Sequence, residues 1–107
     1  MLIAVDIDGV LCDTKGTNYA RATPKQGAIE KMRKLIEEGH DVYCYTARGS
    51  SLGSVAAAEN AYGELTRRQL SEWGVPNVEI VFGKAIFDVL IDDRALNGIV
   101  FPDSLEL

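Results

Sequence analysis

Two aspartates stand two residues apart at the end of an apolar run: Leu2, Ile3, Ala4 and Val5 lead into Asp6, Ile7, Asp8 and Gly9. Residues two apart in an extended chain face the same side, so both carboxylates could point together beyond the end of a buried strand. Gly9 lets the backbone turn away tightly and leaves room for something to approach. Two like charges held a few ångströms apart repel, and a bound cation or a shared proton offsets that cost. Asp and Gly also favour ordinary solvated turns, so this fragment alone fits either reading.

Further along the chain the same arrangement recurs. Val42 to Tyr45 is followed by Thr46, Ala47 and Arg48; Val78 to Phe82 by Gly83 and Lys84; Phe87 to Ile91 by Asp92, Asp93 and Arg94. Taken singly, Thr46 is a common strand-end residue and Arg48 a solvated charge. A turn explanation must be invoked separately at each place, and the joint order is hard to obtain by chance.

The elements that position these groups are strands alternating with helices. Thr23 can cap a helix, Pro24 suits its first position and Gln26 can close a capping box. Ile29, Met32, Leu35 and Ile36 follow at helical spacing until Gly39. A second helical stretch begins weakly at Ser54 and becomes clear at Leu65, Gln69, Leu70 and Trp73, before Gly74 and Pro76. Strands are expected at Leu2–Val5, Val42–Thr46, Val78–Phe82, Phe87–Ile91 and Ile99–Phe101. The sum is a single α/β domain over residues 1–107, a Rossmann-like three-layer sandwich with a mostly parallel five-stranded sheet and helices on both faces. In such sheets ligands sit outside the carboxyl ends of the strands, where all the polar groups above fall. The segment from Leu11 to Ala22 reads as a flap over that site or as a plain connection.

Composition narrows the chemistry. A chain of 107 residues with 47% hydrophobic content is one ordinary globule. No apolar run approaches the roughly 20 residues of a membrane span, and there is no signal-like segment, so the expectation is a cytoplasmic protein with no membrane partner. The net charge of -5 argues against nucleic-acid binding through a basic face, while a metal ion and a few local cations can still draw a small phosphorylated ligand into an acidic site. Cys12 and Cys44 lack zinc spacing and read as reduced structural thiols, although Cys12 lies near Asp8.

The four groups in this order, DIDGV, YTAR, GK and IDD, resemble the motifs of the haloacid-dehalogenase-like superfamily over nearly the whole length of the chain. The resemblance implies a Mg2+-dependent phosphomonoester hydrolase without a cap domain, because Leu11 to Ala22 is too short to be one. It implies Asp6 as nucleophile, forming an aspartyl phosphate, and Asp8 as general acid and base. Asp6, the main-chain carbonyl of Asp8 and Asp92 would hold Mg2+, with Asp93 as an outer metal partner. Thr46 and Lys84 would bind and neutralise the phosphoryl group, with Ala47 and Arg48 among the substrate-binding residues. Arg48 and Arg94 could equally form salt bridges at the acidic rim. The YTARG and DVLIDDRA stretches look most like phosphatases of capsular polysaccharide or other sugar-phosphate metabolism, so a small sugar phosphate is expected, with a nucleotide as the alternative. Uncapped members often draw on a neighbouring subunit, which makes a homo-oligomer a further expectation.

Two other classes compete. A receiver-type phosphoacceptor domain also gathers acids, a hydroxyl and a Lys at strand ends, but its accepting Asp precedes its Thr and Lys, whereas Thr46 has no Asp beside it. A metal-binding module of the same fold that has lost turnover would serve as a partner surface.

Overall fold

A computed structural model describes residues 1–98 together with Phe101, Pro102 and Leu105. Three parallel strands form its central sheet: β1 (Leu2–Asp6), β4 (Asp41–Thr46) and β5 (Ile80–Phe82), side by side in that order. Between β1 and β4 the chain makes a small antiparallel pair, β2 (Cys12–Asp13) with β3 (Thr23–Pro24), and then helix α1 (Gln26–Glu37). Helix α2 (Val55–Glu72) connects β4 to β5.

The register puts Asp6 of β1 opposite Tyr45 of β4, and Thr46 opposite Phe82 of β5. All three strands therefore end at one level, as the parallel reading required. Ile3, Val5, Val42, Cys44 and Ile80 alternate onto one face, where they pack with Ile29 and Met32 of α1 and Leu70 of α2. Both helices thus cover the same face. Two crossovers of one hand that step in the same direction leave them no alternative. The other face carries Leu2 and Ala4, both exposed, so the described chain has two layers and not the expected three.

The expected five-stranded sheet is likewise corrected to three. Phe87–Ile91 is apolar enough for a buried strand, yet it pairs with nothing among the described residues and its side chains lie in solvent. Connection length rules out the parallel pairing expected of it. Only residues 83–86 separate β5 from Phe87, and a parallel return needs about a dozen. The fifth expected strand, Ile99–Phe101, falls largely outside the described residues; Phe101 itself is partly buried against the core.

The start of α1 also differs from expectation. Thr23 and Pro24 are taken up by the β2–β3 pair, so the helix opens at Gln26 with Lys25 at its cap and no side-chain cap bond. Its end is as expected: Gly39 adopts φ +94° and donates to the Ile36 carbonyl. Helix α2 is one continuous run of 18 residues, capped by the Ser54 hydroxyl accepting from the Ala57 amide at 3.1 Å. Gly49 sits between β4 and α2 at φ +76°, where a Cβ would come within 2.8 Å of the Ala58 backbone. That close approach seats the β4 end, with Thr46 and Arg48, directly on α2.

Candidate active site

Three of the expected groups converge where the strands end. Asp6 closes β1 with its side chain about one-third exposed, and Lys84, two residues beyond β5, reaches across to it with Nζ 3.0 Å from Asp6 Oδ2. The other oxygen, Oδ1, accepts from the Ile7 amide at 2.9 Å. Lys84 is fixed along its backbone as well: its amide donates to the Thr46 carbonyl at 3.1 Å, and its carbonyl accepts from the Ser50 hydroxyl at 2.7 Å. Thr46 is fully buried, and its Oγ1 accepts from the Arg48 amide at 3.1 Å.

Asp8 has a different environment. Arg48 grips it in bidentate fashion, Nε to Oδ2 and Nη2 to Oδ1, each at 3.0 Å. The Thr14 hydroxyl donates to Oδ1 at 2.6 Å, and the Cys12 thiol approaches the same atom at 3.5 Å. Burial opposes ionisation of Asp8, but the hydrogen bonds from Arg48 and Thr14 and the charge of Arg48 outweigh it, and its carboxyl is held below the ordinary value. Arg48 is only 1% exposed; its remaining nitrogen, Nη1, donates to Thr66 Oγ1 at 3.1 Å and Gln69 Oε1 at 2.6 Å, and its guanidinium lies 4.9 Å from the centre of the Tyr19 ring. Arg48 thus forms the salt bridge that was one of its two expected roles.

The segment from Leu11 to Ala22 does more than connect. Thr14 and Tyr19 bring it onto the Asp8–Arg48 pair, Gln69 Nε2 ties the Tyr19 carbonyl to α2 at 2.6 Å, and Tyr19 meets Tyr62 edge-on at 5.0 Å. These partners were missed in the sequence. The available signal was Thr66 and Gln69, two polar residues three apart on the inward stripe of α2, which make sense only around a buried charge.

Asp92 and Asp93 do not join this group. Both are exposed, and Asp92 Oδ1 accepts from the Arg94 amide at 3.1 Å, the main cause of its lowered pKa. Among the described residues no cluster of three or more acids, histidines and cysteines could hold a metal ion. The donors that fit one are the half-open Asp6 carboxylate and the Asp8 main-chain carbonyl, since the Asp8 carboxylate is committed to Arg48. One or two protein oxygens suit Mg2+, which keeps most of its waters.

A cleft of about 410 Å³ lined by Ser50, Ser54, Val55, Gly83, Lys84 and Ile86 opens beside Lys84. A larger hollow of about 540 Å³ borders residues 75–80, at the opposite end of β5, and holds none of these groups.

Both cysteines are buried free thiols. Burial, with the nearby Asp6 charge, pushes Cys44 up to about 12. Its folded form keeps the proton, so its contribution to stability is complete below pH 9.0 and is lost as pH rises towards that raised value. Native protein at pH 8 is therefore expected to react with a thiol reagent only on unfolding, and urea midpoints are expected to fall between pH 9 and 11 less in Cys44→Ala than in the parent. Rapid native labelling at Cys44 would contradict this.

No protein-family model and no curated protein matches the chain. Solved structures do. A structural-genomics target from Vibrio cholerae superposes with a TM-score of 0.85 at 28% identity, over 99% of this chain and 89% of that one. A D,D-heptose 1,7-bisphosphate phosphatase from B. bronchiseptica, complexed with magnesium and phosphate, matches with a TM-score of 0.50 at 22% identity. That match covers 76% of this chain and 48% of the phosphatase, so this chain aligns with about half of its length. The likeness shows a shared α/β fold. No helix among the described residues is long and apolar enough to cross a membrane.

Proposed function

We propose that the chain is a Mg2+-dependent phosphomonoester hydrolase acting on a small sugar phosphate through an aspartyl phosphate. The observation that carries this reading is the Asp6–Lys84 pair at the level strand ends, a partly exposed carboxylate 3.0 Å from an ammonium whose own backbone amide is bonded to the Thr46 carbonyl. The shared fold with a heptose bisphosphate phosphatase supports it.

Asp6 attacks phosphorus, the ester P–O bond breaks, and the departing oxygen takes a proton from Asp8. Asp8 then removes a proton from water, whose oxygen attacks the same phosphorus and releases Asp6. Lys84 offsets charge on the nucleophile and on the phosphoryl oxygens, and the Thr46 hydroxyl, with the Ala47 and Arg48 amides behind it, shapes the oxygen site. Mg2+, held by Asp6 and the Asp8 carbonyl, supplies further positive charge to the phosphoryl group when bound.

The Arg48 grip favours the carboxylate form of Asp8, which suits the base in the second step and hinders the acid in the first. A module that binds metal without turnover is the second reading for that reason. Phosphate release from a panel of sugar phosphates, nucleotides and p-nitrophenyl phosphate separates the two. Turnover with Mg2+ that EDTA abolishes, highest on a sugar phosphate, is expected. A folded, metal-loaded protein that hydrolyses nothing would leave the silent module.

A further inference from the structure

Between β5 and Asp92 lies an apolar stretch in which Ile86, Phe87, Val89, Leu90 and Ile91 are all exposed, Val89 at 77% and Ile91 at 96%. Only Asp88 interrupts it, and so much exposed apolar surface in one segment marks an association site. At the opposite side of the sheet, β1 has β4 on one edge only; among the described residues no strand occupies its other edge. That edge is unprotected by lysine or proline, and beside it Leu2 is 75% exposed on the open face. An unfilled edge and an unpaired strand sequence are thus present in one molecule.

The chain cannot join them by itself. β5 and β1 are separated by β4, and only residues 83–86 lie between Phe82 and Phe87, against the dozen or so that a parallel crossover needs. We infer that two copies of the chain exchange this segment, residues 87–91 of each adding a parallel strand to the free edge of β1 in the other. A reciprocal exchange closes with two-fold symmetry and leaves no unfilled edge on β1. Because β1 runs into Asp6 and Asp8 while the added strand runs into Asp92 and Asp93, parallel pairing carries the partner copy's acidic pair to the same strand-end level. The third carboxylate missing from each single-chain site is then supplied in trans. Only this last use of Asp92 rests on the phosphatase reading; the exchange itself does not.

Sedimentation equilibrium is expected to give a dimer of about 23 kDa, twice the 11.7 kDa chain mass, and a monomer would overturn the proposal. In the double variant Ala4→Cys, Val89→Cys, a short bismaleimide is expected to link residue 4 of one chain to residue 89 of another. A link within one chain, or a dimer that forms no link, would overturn it as well. Val89→Asp combined with Ile91→Asp should weaken association by at least about 100-fold while circular dichroism stays native, and an unchanged dimer would count against the exchange. Given turnover, coexpressed Asp6→Asn and Asp92→Asn chains, each inactive alone, are expected to recover about a quarter of wild-type activity, because a mixed dimer rebuilds one intact site. No recovery would overturn the shared site. If the wild type turns nothing over yet dimerises and cross-links as stated, the phosphatase reading fails and the exchange stands; a monomer that hydrolyses phosphate gives the reverse.

Discussion

Asp6→Asn is expected to lower metal-dependent phosphate release by at least about a thousandfold, since an amide can neither attack phosphorus effectively nor offer Mg2+ an anionic oxygen. The loss belongs in kcat and not merely in KM, because the covalent step disappears. Folding should be nearly untouched. Asp6 and Lys84 are both partly solvated, and an ion pair of that kind contributes about 1 kcal/mol or less. A matched pair of measurements checks this: initial rates on the best substrate of the panel, and urea denaturation of both proteins. Activity within tenfold of the parent would remove Asp6 from the chemistry.

Arg48→Met is expected to have the largest effect on stability, about 3 kcal/mol, or a fall in Tm of roughly 12–24 °C for a domain of this size. Arg48 is buried, and its removal takes the counter-charge and two hydrogen bonds from the Asp8 carboxylate, which keeps Thr14, and leaves Thr66 Oγ1 and Gln69 Oε1 without their donor. The side chain of Asp8 keeps 26% exposure, so water recovers part of the loss, which places the effect at the lower end for a broken buried pair. Asp8 titrates below its ordinary 3.8 in the folded state, so the pair's contribution is present above that value and is lost as pH falls through the lowered one. Denaturation midpoints of parent and variant should therefore converge in acid. A double cycle with Asp8→Asn should give a coupling of at least about 1 kcal/mol. Additive losses would mean that the pair is structural decoration.

The placement of Asp6, Thr46 and Lys84 was legible because each follows a run whose burial a sequence displays directly, and because parallel pairing aligns strand ends without further information. Phe87–Ile91 carries the same apolar signature, yet it stands in solvent. Hydropathy reports a demand for burial, not where the covering surface comes from, and here the length of residues 83–86 governs. Thr23 and Pro24 illustrate a competition between local rules: a helix start and an edge pairing suit the same two residues, and the antiparallel contact with Cys12 and Asp13 takes them. The partners of Asp8 were the least legible. Arg48 lies 40 positions from Asp8, and the signal that it is buried sits farther still along the chain, in Thr66 and Gln69, which bond its other side.

The β2–β3 hairpin pairs over only two residues on each strand, so little backbone bonding holds the intervening segment down. What anchors it is Thr14 on Asp8, Tyr19 over Arg48 and Gln69 on the Tyr19 carbonyl. The segment and the Asp8–Arg48 pair therefore draw on one set of bonds. A ligand that competes for Asp8 or Arg48 weakens the hold on residues 14–22 in the same act, so binding there and loosening of this segment form a single equilibrium.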